Sequence, residues 1–155
     1  MIQRKQSLYL LLVVILSVLF LTGSILKTAG TTGNVLTVCI KGIYSTRGNS
    51  ASVRTGQMIP FAVISVLIPV VSLITFFLYR NRKLQMKMTL LMLCLELLLV
   101  IAAVYYFLIM IKNPGGNVIP GYRSIIPLIT IILTALAYRG IRKDEDLVKS
   151  YDRLR

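Results

Sequence analysis

Glu96 is the residue whose type and position most invite a chemical role, because it is the one acidic residue inside the long apolar stretches of this chain. Few other groups could join it. The 155 residues include no His, two Cys and five acids against 18 Lys and Arg. Cys39 and Cys94, without histidines, are too few for a zinc site or a disulfide framework. They form no C-x-x-C pair of the kind thiol oxidases use, and they are expected to be unpaired. No nucleophile has a neighbouring base, no two carboxylates are paired, and no glycine-rich phosphate loop is present. The sequence reading is therefore non-enzymatic, with no catalytic residue, no cofactor and no metal.

Position gives Glu96 candidate neighbours. It lies eight residues past Met88, about 12 Å along a helix at 1.5 Å per residue. Ser72 lies eight residues before Arg80, and Thr130 nine before Arg139, at nearly the same depth. Small and polar residues recur at helical spacing around both: Ala62, Ser65, Pro69 and Ser72 in one stretch, and Pro127, Thr130, Thr134 and Ala137 in another. Such faces turn inward and let backbones approach. The expectation is a polar layer of Glu96, Ser72 and Thr130, with a neutral Glu96 hydrogen-bonded to one of the two hydroxyls. Two roles stay open for it: a functional carboxyl, which is the default for an acid in a span, or a structural hydrogen-bonded plug or subunit contact.

Composition decides what elements hold these residues. The hydrophobic share is 56%, the mean hydropathy +0.79, and only 15% of residues are charged, against roughly 25% in ordinary soluble proteins. A hydrocarbon core of about 30 Å needs about 20 helical residues. Spans are predicted at about 8–26, 58–79, 88–111 and 120–138. The last reaches sufficient length by snorkelling of Tyr122 and Arg123. An acid at the bilayer centre costs about 2.5–3.5 kcal/mol. The apolar residues of the third span offset that with on the order of −6 kcal/mol, so that span inserts despite Glu96. The first stretch is long for a signal-peptide core and has no convincing cleavage site after it, so it is read as an uncleaved span.

The net charge of +13 is read as an orientation signal. Twelve of the 18 basic residues fall at the N-terminus, in the 80–87 connection and in the tail; six fall in the other two connections. That bias places both termini in the cytoplasm. Tyr9, Tyr79 and Tyr138 mark the inner interface, and Tyr105, Tyr106 and Tyr122 the outer one. A nucleic-acid partner is not expected, because the basic runs are short and separated by apolar stretches.

Two polar segments remain. In 27–57, alternation of Leu36, Val38 and Ile40 with Thr37, Cys39 and Lys41 is the period-2 pattern of a strand; a short β-hairpin and an irregular loop both fit. Asn113-Pro114-Gly115-Gly116-Asn117 reads as a turn. In the tail 139–155, Leu147, Tyr151 and Leu154 share a helical face. With Arg142 and Lys143 they are the candidate docking residues for a partner, the alternative being a solvated basic anchor.

The opening Met1-Ile2-Gln3-Arg4, the basic loop Tyr79-Arg80-Asn81-Arg82-Lys83-Leu84-Gln85 and the tail from Ile141-Arg142-Lys143-Asp144-Glu145 to Asp152-Arg153-Leu154-Arg155 resemble a Bacteroidota family of small integral membrane proteins. It is catalogued as domain of unknown function 4293. The resemblance spans the whole chain and implies a four-span inner-membrane protein, with no activity, cofactor or catalytic residue attached.

The combined expectation is an all-α membrane protein: an antiparallel four-helix transmembrane bundle in a single domain, with a short extracytoplasmic loop. Its partners would be the lipid bilayer and a protein of a membrane complex, or further copies of itself. The leading function is an accessory or scaffolding subunit; the alternative is a small transporter or channel using Glu96.

Overall fold

The computed structural model describes residues 5–30, 34–40, 42–47, 53–56, 58–112 and 116–153. Four helices dominate it: α1 Lys5–Leu21, α2 Ile59–Phe77, α3 Arg82–Lys112 and α4 Ile126–Arg153. Short 3₁₀ turns at Leu78–Arg80 and Tyr122–Ile125 lead into α3 and α4. Each helix packs on two others, in the cyclic order α1-α2-α3-α4. Neighbours run antiparallel. Phe20, late in α1, meets Phe61, early in α2, and Phe61 meets Tyr106, late in α3. At the opposite end Gln6, early in α1, and Arg82, first in α3, both reach Asp144, late in α4.

The helices wear their polarity inside out. Along α1 the buried row is Gln6, Leu10, Val13, Ser17 and Phe20; along α3 it is Gln85, Thr89, Met92, Glu96 and Leu99. These are 3- and 4-residue steps along one helix face. Among the described residues, eleven buried side chains are polar or charged, while thirty-three large hydrophobics stand exposed. In water that would be the wrong way round; in lipid the outward face costs nothing. The helices α2, α3 and α4 are each long and apolar enough to cross a membrane.

Helix α1 stops earlier than the predicted first span. At 17 residues it is about 25 Å long. Thr22 ends it by donating its hydroxyl to the Leu19 carbonyl, and the chain turns through Gly23 into a strand. Helix α4 goes the other way. Its 28 residues run unbroken from the expected fourth span into the tail, about 42 Å in all.

The segment between α1 and α2 is more ordered than a loop. Strands β1 Ser24–Gly30, β2 Asn34–Cys39, β3 Gly42–Arg47 and β4 Val53–Gly56 form an antiparallel meander. A fifth strand, β5 Gly116–Pro120, comes from the α3–α4 connection and pairs with β1, giving the order β4-β3-β2-β1-β5. Of the turn expected at 113–117, residues 113–115 lie outside the described residues and Gly116 and Asn117 begin β5. Pro120 is tolerated because β5 is an edge strand. The all-α expectation therefore holds for the bundle, and a five-stranded sheet caps the end that holds Phe20, Phe61 and Tyr106.

Two apolar clusters sit on either side of the mid-bundle. Phe20, Ile25, Ile40, Met58, Phe61, Ile68 and Leu99 fill the sheet end, and Leu10, Val13, Met92 and Ala137 the other. Beyond the second cluster α1 and α4 come close at Gly140, where an added Cβ would come 2.8 Å from Gln6 Cγ. Gly140→Val is therefore expected to push α1 away and to destabilise the bundle by about 1–3 kcal/mol, the usual cost of overpacking, read as a lower unfolding temperature in detergent.

Candidate functional site

The interior between the two apolar clusters is a polar layer, and α3 supplies its acid. Glu96 is one helical turn from Met92 and from Leu99 on the inward row and is 1% exposed. Its Oε1 accepts a hydrogen bond of 3.0 Å from the hydroxyl of Thr134 on α4. Oε2 has no hydrogen-bond partner among the described residues. A small cavity of about 10 Å³ lies here, lined by Ser17, Ser65, Glu96 and Thr130 with apolar neighbours. That is about the least space a single water needs.

The partner is Thr134, one turn along the predicted face from Thr130. The side chain of Glu96 leans toward the N-terminal end of its own helix, as helical side chains do. Because α4 runs antiparallel to α3, that direction is toward later residues of α4. Thr130 lines the same cavity and donates its hydroxyl to the Pro127 carbonyl. Ser72 is fully buried but turns to α1, donating to the Leu10 carbonyl at 3.4 Å. Of the three residues expected to form the layer, Glu96 and Thr130 share the cavity, while Ser72 bonds across another helix pair.

Most hydroxyls in the interior are satisfied within their own helix. Ser17 donates to Val14, Ser65 to Phe61, Thr75 to Val71 and Thr89 to Gln85, all to carbonyls at 2.7–2.9 Å. Pro69 adds a further acceptor: having no N–H, it leaves the carbonyl of Ser65, four residues back, without its helical donor.

Sequence reasoning missed a second polar cluster, at the end away from the sheet. Gln6 donates its side-chain N–H to Asp144, Arg82 donates to the Asp144 carbonyl at 3.3 Å, and Gln85 donates to the Thr75 carbonyl at 3.3 Å. Gln6, Gln85 and Glu145 are buried. The signal was the placement of long amides at the ends of apolar stretches, on the same helical rows as the buried residues. The cluster ties α1, α2, α3 and α4 together with side chains that reach across helices.

Of the docking candidates, Arg142 and Lys143 are exposed on α4. Leu147 and Tyr151 fall within the same helix, and Leu154 lies outside the described residues. Cys94 is exposed on the outer face of α3 and Cys39 is half-buried at the end of β2; both are free thiols. No group of three or more His, Cys, Asp or Glu that could hold a metal occurs among the described residues.

These features define a class: a small helical bundle with an apolar exterior, polar layers set between apolar clusters inside, and a sheet at one end. The chain belongs to the family described as Domain of unknown function (DUF4293), whose model matches residues 2–154. No curated protein matches it.

The Glu96–Thr134 bond crosses between helices and can be tested directly. Thr134→Val removes the donor and is expected to destabilise the protein by about 1–3 kcal/mol, the cost of stranding a buried polar group. Glu96→Gln, which keeps an acceptor for Thr134 and adds a donor, is expected to unfold close to the wild-type temperature. A double-mutant cycle of Thr134→Val with Glu96→Leu, each of which removes the bond, measures the coupling in detergent.

Proposed function

We propose that this protein is a multi-pass inner-membrane protein with both termini cytoplasmic, acting as a non-enzymatic scaffolding subunit that docks a partner on the cytoplasmic extension of α4. The observation that carries this reading is the length of α4. A helix about 42 Å long exceeds the roughly 30 Å hydrocarbon core, so its last turns leave the membrane as a continuous rod. Arg142 and Lys143 are exposed at its root, which is fixed by the bonds to Asp144 from Gln6 and Arg82. An arm rigidly joined to a membrane bundle suits positioning a partner rather than turning over a substrate.

The basic bias supports the orientation. The twelve basic residues counted on the cytoplasmic side include Arg82, Lys83, Arg142 and Lys143, which lie at the end of the bundle opposite the sheet. The shortness of α1 is compatible with four spans, since a short span is accommodated by local bilayer thinning and snorkelling of flanking residues.

A second reading, a small transporter or channel, is favoured by one observation, the unpartnered Oε2 of Glu96. The space beside it, about 10 Å³, is closer to a structural pocket than to a conduit. Proton flux in liposomes that disappears in Glu96→Gln would support transport over scaffolding.

Two measurements test the main reading. In a cysteine-free background, Tyr122→Cys at the sheet end is expected to react with a membrane-impermeant maleimide added from outside the inner membrane, and Lys143→Cys only after lysis. The tagged full chain is expected to co-purify in mild detergent with one reproducible protein. A chain ending at Asp146, which keeps the Asp144 bonds, is expected to remain folded and lose that protein.

A further inference from the structure

The five acids of the chain are Glu96, inside the bundle, and Asp144, Glu145, Asp146 and Asp152, all in the last part of α4. The sheet end and its connections carry Lys27, Lys41, Arg47, Arg54, Lys112 and Arg123, with no carboxylate side chain in those segments. Their counter-charge must come from outside the chain.

Arg123 is held in place to meet one. Its Nε donates to the Tyr122 hydroxyl at 3.1 Å and its Nη1 to the Thr22 hydroxyl at 3.4 Å. The guanidinium carbon lies 5.4 Å from the centre of the Tyr122 ring. The side chain lies across Gly23, where any Cβ would fall 1.5 Å from Nη1; a glycine at the α1–β1 turn is what makes room for it. Both side-chain acceptors are neutral, and a guanidinium has five N–H donors, so charge and donors are left over.

The residues beside Arg123 line an apolar groove. A cavity of about 290 Å³ opens between α3 and α4, walled by Phe20, Ile25, Ala103, Val104, Phe107 and Leu128. Ser124, next to Arg123, also lines it, but its hydroxyl is already donated to the Ile25 carbonyl at 2.8 Å. The groove thus offers apolar walls, and Arg123 adjoins Ser124 of its lining. Its volume is at the low end for ligand pockets and suits an unbranched chain.

We propose that this groove holds one acyl chain of an anionic phospholipid of the surrounding bilayer, with the lipid phosphate seated on Arg123. This rests on the membrane placement above and not on the scaffolding role. An acyl chain gains no hydrophobic free energy by leaving bilayer for groove, so selection falls to the head group. There the planar fork of an arginine pairs with phosphate oxygens. The prepositioning of Arg123 by Thr22, Gly23 and Tyr122 lowers the ordering cost of that pairing.

The test uses the full chain in mild detergent, with phosphatidylglycerol and phosphatidylcholine as probes, read by native mass spectrometry and by the shift in unfolding temperature. Phosphatidylglycerol is expected to be retained and to raise the unfolding temperature more than phosphatidylcholine. Arg123→Gln is expected to weaken that retention about tenfold, the equivalent of one charged hydrogen-bonded contact, with Arg123→Lys intermediate. Ala103→Phe, which fills the groove and leaves Arg123 untouched, is expected to abolish retention while circular dichroism stays helical. Equal retention of both lipids, or retention unchanged in Arg123→Gln and Ala103→Phe, overturns the proposal. So does an acidic protein that binds through Arg123 in place of lipid. Release of the chain from membranes by alkaline carbonate would instead refute the membrane placement.

Discussion

Every polar side chain that faces the interior of this bundle must find its hydrogen bond inside the chain, because the surface around it is apolar. A hydroxyl solves that problem cheaply by returning its proton to a carbonyl three or four residues back. Ser17, Ser65, Thr75, Thr89 and Thr130 all do so. Longer polar side chains reach across, and their bonds mark where the helices are registered against one another. Gln6, Arg82 and Gln85 do this at one end, and Glu96 with Thr134 at the centre.

Those cross-helix bonds set register more than they set stability. Hydrogen bonds between membrane helices average about 0.6 kcal/mol in double-mutant cycles. The larger cohesive contribution is close packing: small inward residues such as Gly140 and Ala137 bring backbones together, and edge-to-face contacts join Phe20, Phe61 and Tyr106. The two ends differ in kind. One is locked by side chains around Asp144; the other is covered by a sheet whose first strand grows out of α1 and is tied to the start of α4 by the Gly121 N–H donated to the Ile25 carbonyl at 2.9 Å.

The helical elements were readable because their signal is local. A run of apolar residues with small or polar residues at 3- and 4-residue steps specifies a helix and its inner face, and Thr134 was on the face marked by Thr130. What selected Thr134 over Thr130 was the lean of one side chain in an antiparallel pair, a property of the packed helices. The early end of α1 turned on Thr22 and Gly23, which look like continuation of an apolar run until the strand after them is known. Pairing of β5 with β1 was invisible for a different reason: residues 116–120 are rich in turn formers, and strand character there comes from a partner far away in sequence. Gln6, Gln85 and Asp144 were passed over because polar residues at the ends of apolar runs usually face solvent or head groups.

The pairing of Leu26 with Pro120 and of Gly30 with Gly116 also imposes an order on biogenesis. The nascent chain emits β1 to β4 early, but β5 emerges only after α2 and α3 have been made. Until then β1 presents a row of unpaired backbone groups on an open edge, the kind of surface that recruits foreign strands. Closing the sheet therefore waits until α2 and α3 have been made and β5 can reach β1.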